Sequence, residues 1–437
     1  MSEKTESRRD RYSDQLDGSV VGKTVTVAGW IEDLRSIGSI LFFTIRDSHG
    51  VLQAVFNRKS LGDERFAEAA GLPRQSFVSV TGTVKESRAK ISRYEIDVSS
   101  FEVLARAVHP LPLDPTGRVE ALLDTRLDAR PLDLRNPRSA AVFKIEAAFL
   151  DSARRYLEGQ GFMEVRTAKI IGAATEGGAE LFGFDYFGRE ACLAQSPQLY
   201  KEELTMSLER VYEVGTYFRA EKSHTTRHIS EFLGLDAEAA LFTKEDAMKL
   251  LEGLMTTAVT ELASGSKAEF SLLGRSPEIP QAPFPVITYE DAMAEVQKKG
   301  LPARFGDDFD GDTLKALGEA RPGYYFLTEW PTSIKPFYIK PNPRRPEVSE
   351  SFDLMHGQLE LASGGERVAD RGLLETRLKE KGLDPEHFRE HLQVYDWGMP
   401  PHAGWGFGVE RFVAQLAGFS NIREAVLYPR DSVRVTP

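Results

Sequence analysis

The residues best suited to chemistry crowd into positions 211–238, VYEVGTYFRAEKSHTTRHISEFLGLDAE, where Arg219, Glu221, His224, Arg227 and His228 fall between two apolar runs. Arginine suits a polyphosphate because its planar fork donates paired hydrogen bonds to anionic oxygens and keeps its charge near neutral pH. Further along, SESFDLMHGQLELASGGER brings Glu360, Ser363 and Arg367 together near two glycines. GWGFGVERF sets Gly404, Gly406 and Gly408 ahead of Arg411. These glycines let backbone approach a nucleotide while Arg411 faces its base or phosphates. Upstream, the loop TEGGAELF offers Glu176 to a cation such as an amino group, and QSPQLYKE places Gln198 and Lys201 three apart, on one side of a helix.

Several other chemistries are disfavoured. G-x-G-x-x-R departs from the dinucleotide fingerprint at its last position, and no βαβ unit follows it. The eight histidines show no zinc spacing, and there is no P-loop and no G-x-S-x-G. One cysteine, Cys192, cannot form an internal disulfide, which favours a reducing compartment. The sequence has no apolar run long enough to span a membrane and no apolar stretch near Met1 of the kind a signal peptide carries, so a cytoplasmic protein is expected. The net charge of −11 opposes bulk attraction to nucleic acid, yet residues 1–105 are balanced at 15 basic against 15 acidic. If RNA binds, the N-terminal part is the less repulsive surface.

The elements that must position these groups follow from periodicity. A chain of 437 residues calls for more than one core. Residues 1–18 read as a disordered or loosely attached tail. Between 19 and 105, five β-branched and aromatic segments (24–31, 39–47, 50–56, 76–87 and 94–105) and one helical stretch (63–70) predict a small closed barrel of the OB type. Its candidate base-stacking platform is Phe42 or Phe43, with Arg35 and Gln53 as polar readers. One phenylalanine of that adjacent pair must point into the core. Prolines without a sustained period mark 106–137 as a hinge. From 138 onward, helical spacing over 142–157 and 244–264 alternates with strand signals at 162–170, 211–218, 229–235, in YYFLTEW and KPFYIKP, and through 350–367. Residues 265–333 show no chemistry.

FRAEKSHTTRH and GFGVERF resemble the second and third signature motifs of class II aminoacyl-tRNA synthetases. With TEGGAELF, QSPQLYKE, LYPRD and an OB-type domain, the chain is similar to aspartyl-tRNA synthetases of the shorter, archaeal type. The resemblance implies an α+β protein: an N-terminal five-stranded OB-type β-barrel plus a C-terminal class II catalytic domain, residues 138–437, with an antiparallel sheet flanked by helices. It implies a homodimer, ATP and Mg2+, L-aspartate, and tRNA(Asp), with tRNA(Asn) as a second candidate. Arg219 would hold the α-phosphate and the substrate carboxylate. Arg411 would lie across the adenine and γ-phosphate opposite Phe232, and Glu221, Arg227, His228 and Gly408 would complete the ATP site. Glu360 and Ser363 would hold Mg2+. Glu176 and Gln198 would hold the amino acid's ammonium and backbone, and Lys201 and Arg367 would put two positive charges on its side-chain carboxylate, oriented by Asp236. Phe42 would stack on the central anticodon uridine, flanked by Arg35 and Gln53.

Three positions depart from the family pattern. Ala168 stands where the first motif usually has proline, Glu366 in SGGER replaces the glutamine of the usual SGGQR or SGAQR beside Arg367, and Glu32 and Asp33 lie where basic, polar or aromatic residues are expected. The acidic pair predicts weak tRNA binding unless Arg88, Lys90 or a neighbouring arginine neutralises it. The rival readings are an asparaginyl-tRNA synthetase, a paralogue that forms an aminoacyl-adenylate without charging tRNA, and a non-catalytic RNA-binding protein.

Overall fold

The computed structural model describes residues 8–172, 181–220, 225, 226 and 228–437. The chain divides into two compact units, residues 1–136 and 137–437.

The first unit is a closed barrel of five strands: β1 (Thr24–Ile37), β2 (Ile40–Arg46), β3 (Val51–Asn57), β4 (Phe77–Glu86) and β5 (Tyr94–Ala105), joined in the order β1-β2-β3-β5-β4. Only β3 and β5 run parallel. Alternation along each strand sends Val27, Ile31, Leu41, Phe43, Phe56 and Val80 inward. The corners need glycine: a Cβ on Gly29 would meet Arg46 O at 2.4 Å, and one on Gly82 would meet Asp97 O at 2.2 Å. The helix Asp63–Ala70 lies where its pattern places it.

Two expectations for this unit change. The N-terminal segment is not loose from residue 8 onward. Asp10 accepts the Thr26 amide at 2.7 Å, Ser13 bonds Asp47 through both amide and hydroxyl at 2.7 Å, and Leu16 and Val20 enter the barrel core. Residues 1–7 lie outside the described part. The proline-rich stretch is not an open hinge either. It belongs to the first unit through Asn136 and carries the helices Leu123–Asp128 and Arg130–Asp133. Arg130 is fully buried and pairs with Asp133 at 2.9 Å.

The second unit is built on an eight-stranded sheet. Its strands are β6 (Met163–Glu164), β10 (Arg210–Phe218), β11 (Glu231–Ala240), β12 (Val286–Thr288), β13 (Tyr324–Thr328), β14 (Ser351–His356), β15 (Leu359–Glu366) and β16 (His402–Gly408). Their order is β12-β13-β14-β15-β16-β11-β10-β6. Pairing is antiparallel except at the two ends, where β12 joins β13 and β6 joins β10 in parallel. A separate three-stranded sheet holds β7 (Ile170–Ile171), β8 (Gly183–Tyr186) and β9 (Arg189–Leu193).

The helices Pro137–Gly159, Lys244–Gly265 and Val409–Ala417 share the largest core with one sheet face, with Phe149 at 4.8 Å from Phe412 and 5.6 Å from Phe407 between ring centroids. Thr243 and Asp246 form a reciprocal cap on the second of these helices. Within residues 265–333, Phe270, Leu273, Phe284 and Phe326 join that largest core, while Tyr289, Phe309 and Trp330 centre a separate cluster that also takes in Met355. The strands expected over 162–170 and in KPFYIKP are mostly absent. The first contributes only β6 and the start of β7, and the second, punctuated by Pro336 and Pro341, makes isolated bridges at Ile339 and Pro341.

Candidate active site

The cleft lies on the sheet face opposite the main helices. Period-2 alternation on β11 sends Phe232, Gly234 and Asp236 into it, while Leu235, Ala237 and Ala239 enter the helix-covered core. Register aligns Asp236 with Gly406, Gly406 with Ser363, and Ser363 with Asp353, a single row across β11, β16, β15 and β14. Gly406 keeps the row open, since a Cβ there would meet Asp236 Oδ1 at 2.9 Å.

At one end of the cleft two arginines converge. Arg219 follows β10, its amide bonded to Ser230 O at 2.9 Å, and its guanidinium sits 5.1 Å from the centre of the Phe232 ring. Arg411, the third residue of the helix Val409–Ala417, donates from Nη1 to Glu360 O at 2.9 Å, with the Glu360 carboxylate 3.8 Å away. Gly408 precedes that helix and lines the cleft, as does His228, whose Nδ1 lies 2.7 Å from Thr225 Oγ1. Glu360 opens onto the cleft, yet the protein around it and the neighbouring Asp353 push its carboxyl above the usual range, while Arg411, Lys335 and Arg219 pull it back. Asp353 is buried and paired with Lys335 at 2.9 Å. The Glu360 carboxylate and Ser363 both line the cleft, and oxygen donors of this kind suit a hard cation. Glu176, Glu221 and Arg227 lie outside the described residues.

The other end is a buried ionic network. Arg367 donates from Nε and Nη2 to the two oxygens of Glu238, at 2.9 and 3.1 Å. Its Nη1 makes no hydrogen bond among the described residues, and Arg367 lines the cleft. Lys201, expected to meet the substrate carboxylate, is internally paired. Lys201 is not among the lining residues, and its ammonium is taken up by Asp236 (2.9 Å), Trp405 O (3.1 Å) and Glu238 (3.4 Å). Gln198 lines the cleft and donates to Glu202 Oε1 at 2.5 Å. Glu366 turns away from Arg367 and pairs with Lys340.

Sequence reasoning missed Glu238, Glu202, His402, Lys335 and Asp353. Two of them carried a signal: Glu238 follows Asp236 by two residues on a strand, and Glu202 follows Gln198 by four on a helix.

Two family models match the chain. Residues 123–432 match the class II tRNA synthetases of the D, K and N group, and residues 25–104 match the OB-fold nucleic acid binding domain. The chain belongs to the class II tRNA synthetases. It is 45% identical to the aspartate–tRNA(Asp/Asn) ligase of Methanothermobacter thermautotrophicus, over 98% of this chain and 99% of that one. It is 42% identical to the aspartate–tRNA(Asp) ligase of Thermoplasma acidophilum, at 98% and 99% coverage. Among solved structures, asparaginyl-tRNA synthetase from Pyrococcus horikoshii complexed with asparaginyl-adenylate superposes with a TM-score of 0.92 at 34% identity, covering 98% of this chain and 99% of that one.

In this class II synthetase the barrel carries the residues singled out for the anticodon. Phe43 is fully buried in the barrel core, whereas Phe42 is half-buried with the Arg35 guanidinium 5.3 Å from its ring centre. Gln53 donates to Glu95 at 2.7 Å. The acidic pair does not stand uncompensated: Glu32 is paired with Arg46, and Asp33 with Arg74 at 2.6 Å and Arg118 at 3.4 Å. The neutralising residues are these arginines and not Arg88 or Lys90. No helix among the described residues is long and apolar enough to cross a membrane.

Proposed function

We propose that this synthetase activates L-aspartate with ATP and transfers it to tRNA(Asp), acting in the cytoplasm. The observation that carries the reading is one cleft with two arginines, Arg219 and Arg411, at a phosphate end and a guanidinium, Arg367, with one nitrogen uncommitted at the other. The aspartate α-carboxylate attacks the α-phosphorus of ATP. Charge building on the phosphate oxygens meets Arg219, pyrophosphate leaves, and aspartyl-adenylate forms without a covalent enzyme intermediate. The adenine lies between Phe232 and Arg411, with Gly408 allowing close approach and Glu221, Arg227 and His228 around the phosphates. Glu176 and Gln198 hold the ammonium and backbone of the amino acid. A terminal ribose hydroxyl of the tRNA then attacks the aspartyl carbonyl, and AMP departs.

Arg367 is the direct partner of the side-chain carboxylate, and Lys201 acts through Asp236. Glu360 and Ser363 would hold Mg2+, which would neutralise phosphate charge during the transfer. The barrel presents Phe42, Arg35 and Gln53 to the anticodon. Relatives named for both tRNAs make tRNA(Asn) a second acceptor to test. A homodimer is supported by the edge strand β6 with exposed Met163 next to the helix Pro137–Gly159, and a monomer by light scattering at micromolar concentration would overturn it.

The decisive experiment compares pyrophosphate exchange into ATP with aspartate and with asparagine, then charging of both tRNAs. Aspartate-dependent exchange and tRNA(Asp) charging are expected. Equal or better exchange with asparagine would overturn the substrate assignment.

A further inference from the structure

Behind Arg367 lies a second layer of charge that lines no part of the cleft. Glu202, on the helix Gln198–Leu208, is fully buried and gathers three groups: Gln198 Nε2 on Oε1 at 2.5 Å, and on Oε2 the Tyr395 hydroxyl at 3.0 Å and His402 Nε2 at 3.5 Å. His402 is also fully buried, its Nδ1 2.8 Å from Pro400 O, and its carbonyl accepts the Arg367 amide at 2.9 Å. The layer is thus tied by hydrogen bonds to two residues that line the cleft, Gln198 and Arg367.

The buried charges of the amino-acid end can be counted. Among the described residues, and with His391 set against Glu203, Lys201 and Arg367 are opposed by Asp236, Glu238 and Glu202, an excess of one negative charge unless His402 is protonated. An uncompensated anion here would draw Arg367 inward and repel a ligand carboxylate arriving at its free nitrogen. We propose that Glu202 and His402 are positioning residues that set the net charge behind Arg367 and so determine the affinity for an amino acid bearing a second carboxylate, without touching it. This rests on the reading that aspartate sits against Arg367.

The groups facing His402 support the proposal. Burial opposes its protonation, but Glu202 and then Glu238 raise its pKa above the usual histidine value. Burial likewise opposes the Glu202 charge, yet His402, His391 and Arg367 hold its carboxyl down at about 2. His391, on the helix Arg389–Tyr395, lies 3.9 Å from Glu202 and is paired more closely, at 2.8 Å, with Glu203. Tyr395, from that same helix, supplies a neutral donor, and burial raises its phenol well above the usual value.

The charge count makes three variants distinguishable. Glu202→Gln removes the anion and can donate to a neutral His402, leaving two charges of each sign. His402→Asn leaves Glu202 unopposed. The double variant restores the balance. The test is the KM for aspartate in pyrophosphate exchange from pH 6 to 9, with the KM for ATP measured alongside. In the wild type the aspartate KM should climb about tenfold as His402 loses its proton, the size of one added charge interaction. Glu202→Gln should hold the low-pH value at every pH, His402→Asn the high-pH value, and the double variant should return to the low value. The KM for ATP should not follow this pattern. A flat wild-type profile, or a double variant no better than His402→Asn, would overturn the proposal. Absence of aspartate-dependent exchange in the wild type would instead overturn the aspartate reading.

Discussion

Replacing Glu238 with glutamine removes the charge that holds Arg367 in place while nearly preserving shape. Both carboxylate oxygens are committed to Arg367, at 2.9 and 3.1 Å, and one lies 3.4 Å from the Lys201 ammonium. A glutamine keeps one acceptor and turns the other into an NH2 that faces Arg367 Nε if it replaces Oε1, or both Arg367 Nη2 and the Lys201 ammonium if it replaces Oε2, donor against donor either way. Both side chains of the pair are essentially inaccessible, so solvent cannot screen the loss. Breaking a buried pair by removing one partner costs about 3–5 kcal/mol, and the retained amide acceptor puts the expected loss near ~3 kcal/mol. That is a large share of the roughly 5–15 kcal/mol stabilising a typical domain. Urea denaturation of Glu238→Gln should therefore show a clearly lower midpoint at unchanged slope. In pyrophosphate exchange the KM for aspartate should rise, because an Arg367 freed from Glu238 no longer presents its third nitrogen in a fixed direction. A variant within about 1 kcal/mol of wild type with an unaltered aspartate KM would refute the argument that Glu238 organises this end of the cleft.

Other perturbations separate the remaining roles. Arg219→Ala and Arg411→Ala should each lower the rate of adenylate formation by roughly a hundred- to a thousandfold while leaving the thermal midpoint nearly unchanged, and near-normal exchange would remove the assigned role. Burial, with Glu146 nearby, raises the Glu410 carboxyl to about 8, so the stability it contributes as a neutral acid is present at low pH and is lost as pH rises through that value. Glu410→Gln, whose amide oxygen can still accept the Leu233 amide, should accordingly gain in thermal midpoint relative to wild type as pH rises from about 4.5 to about 8 and level off above that, and parallel pH curves would contradict the buried-acid assignment. Glu32→Gln should release Arg46 and steepen the salt dependence of tRNA binding by about one ion, whereas an unchanged slope would show that Arg46 stays off the RNA.

Much of this architecture was legible because alternation and turns leave local marks. The five barrel strands and the hairpin of β10 and β11 emerge close to where β-branched and aromatic residues place them, and Arg219, Phe232, Glu360, Ser363 and Arg411 meet in one cleft. The N-terminal segment was not legible, because residues 8–18 dock mainly through hydrogen bonds from Asp10 and Ser13 to partners far along the chain. The surroundings of Lys201 were not legible for a related reason: its type and spacing announce a cation, but the acids paired with it, Asp236 and Glu238, arrive from a separate strand. A fully buried charged residue such as Glu238 has the same composition as a surface one. Only its neighbours reveal the difference.

The row formed by Asp236, Gly406, Ser363 and Asp353 gives the cleft a fixed scale. Neighbouring strands stand about 4.8 Å apart, so three intervals span about 14 Å between the outer members. That spacing is set by main-chain hydrogen bonds, which no side-chain replacement stretches. A ligand lying along this row is therefore measured against the backbone itself.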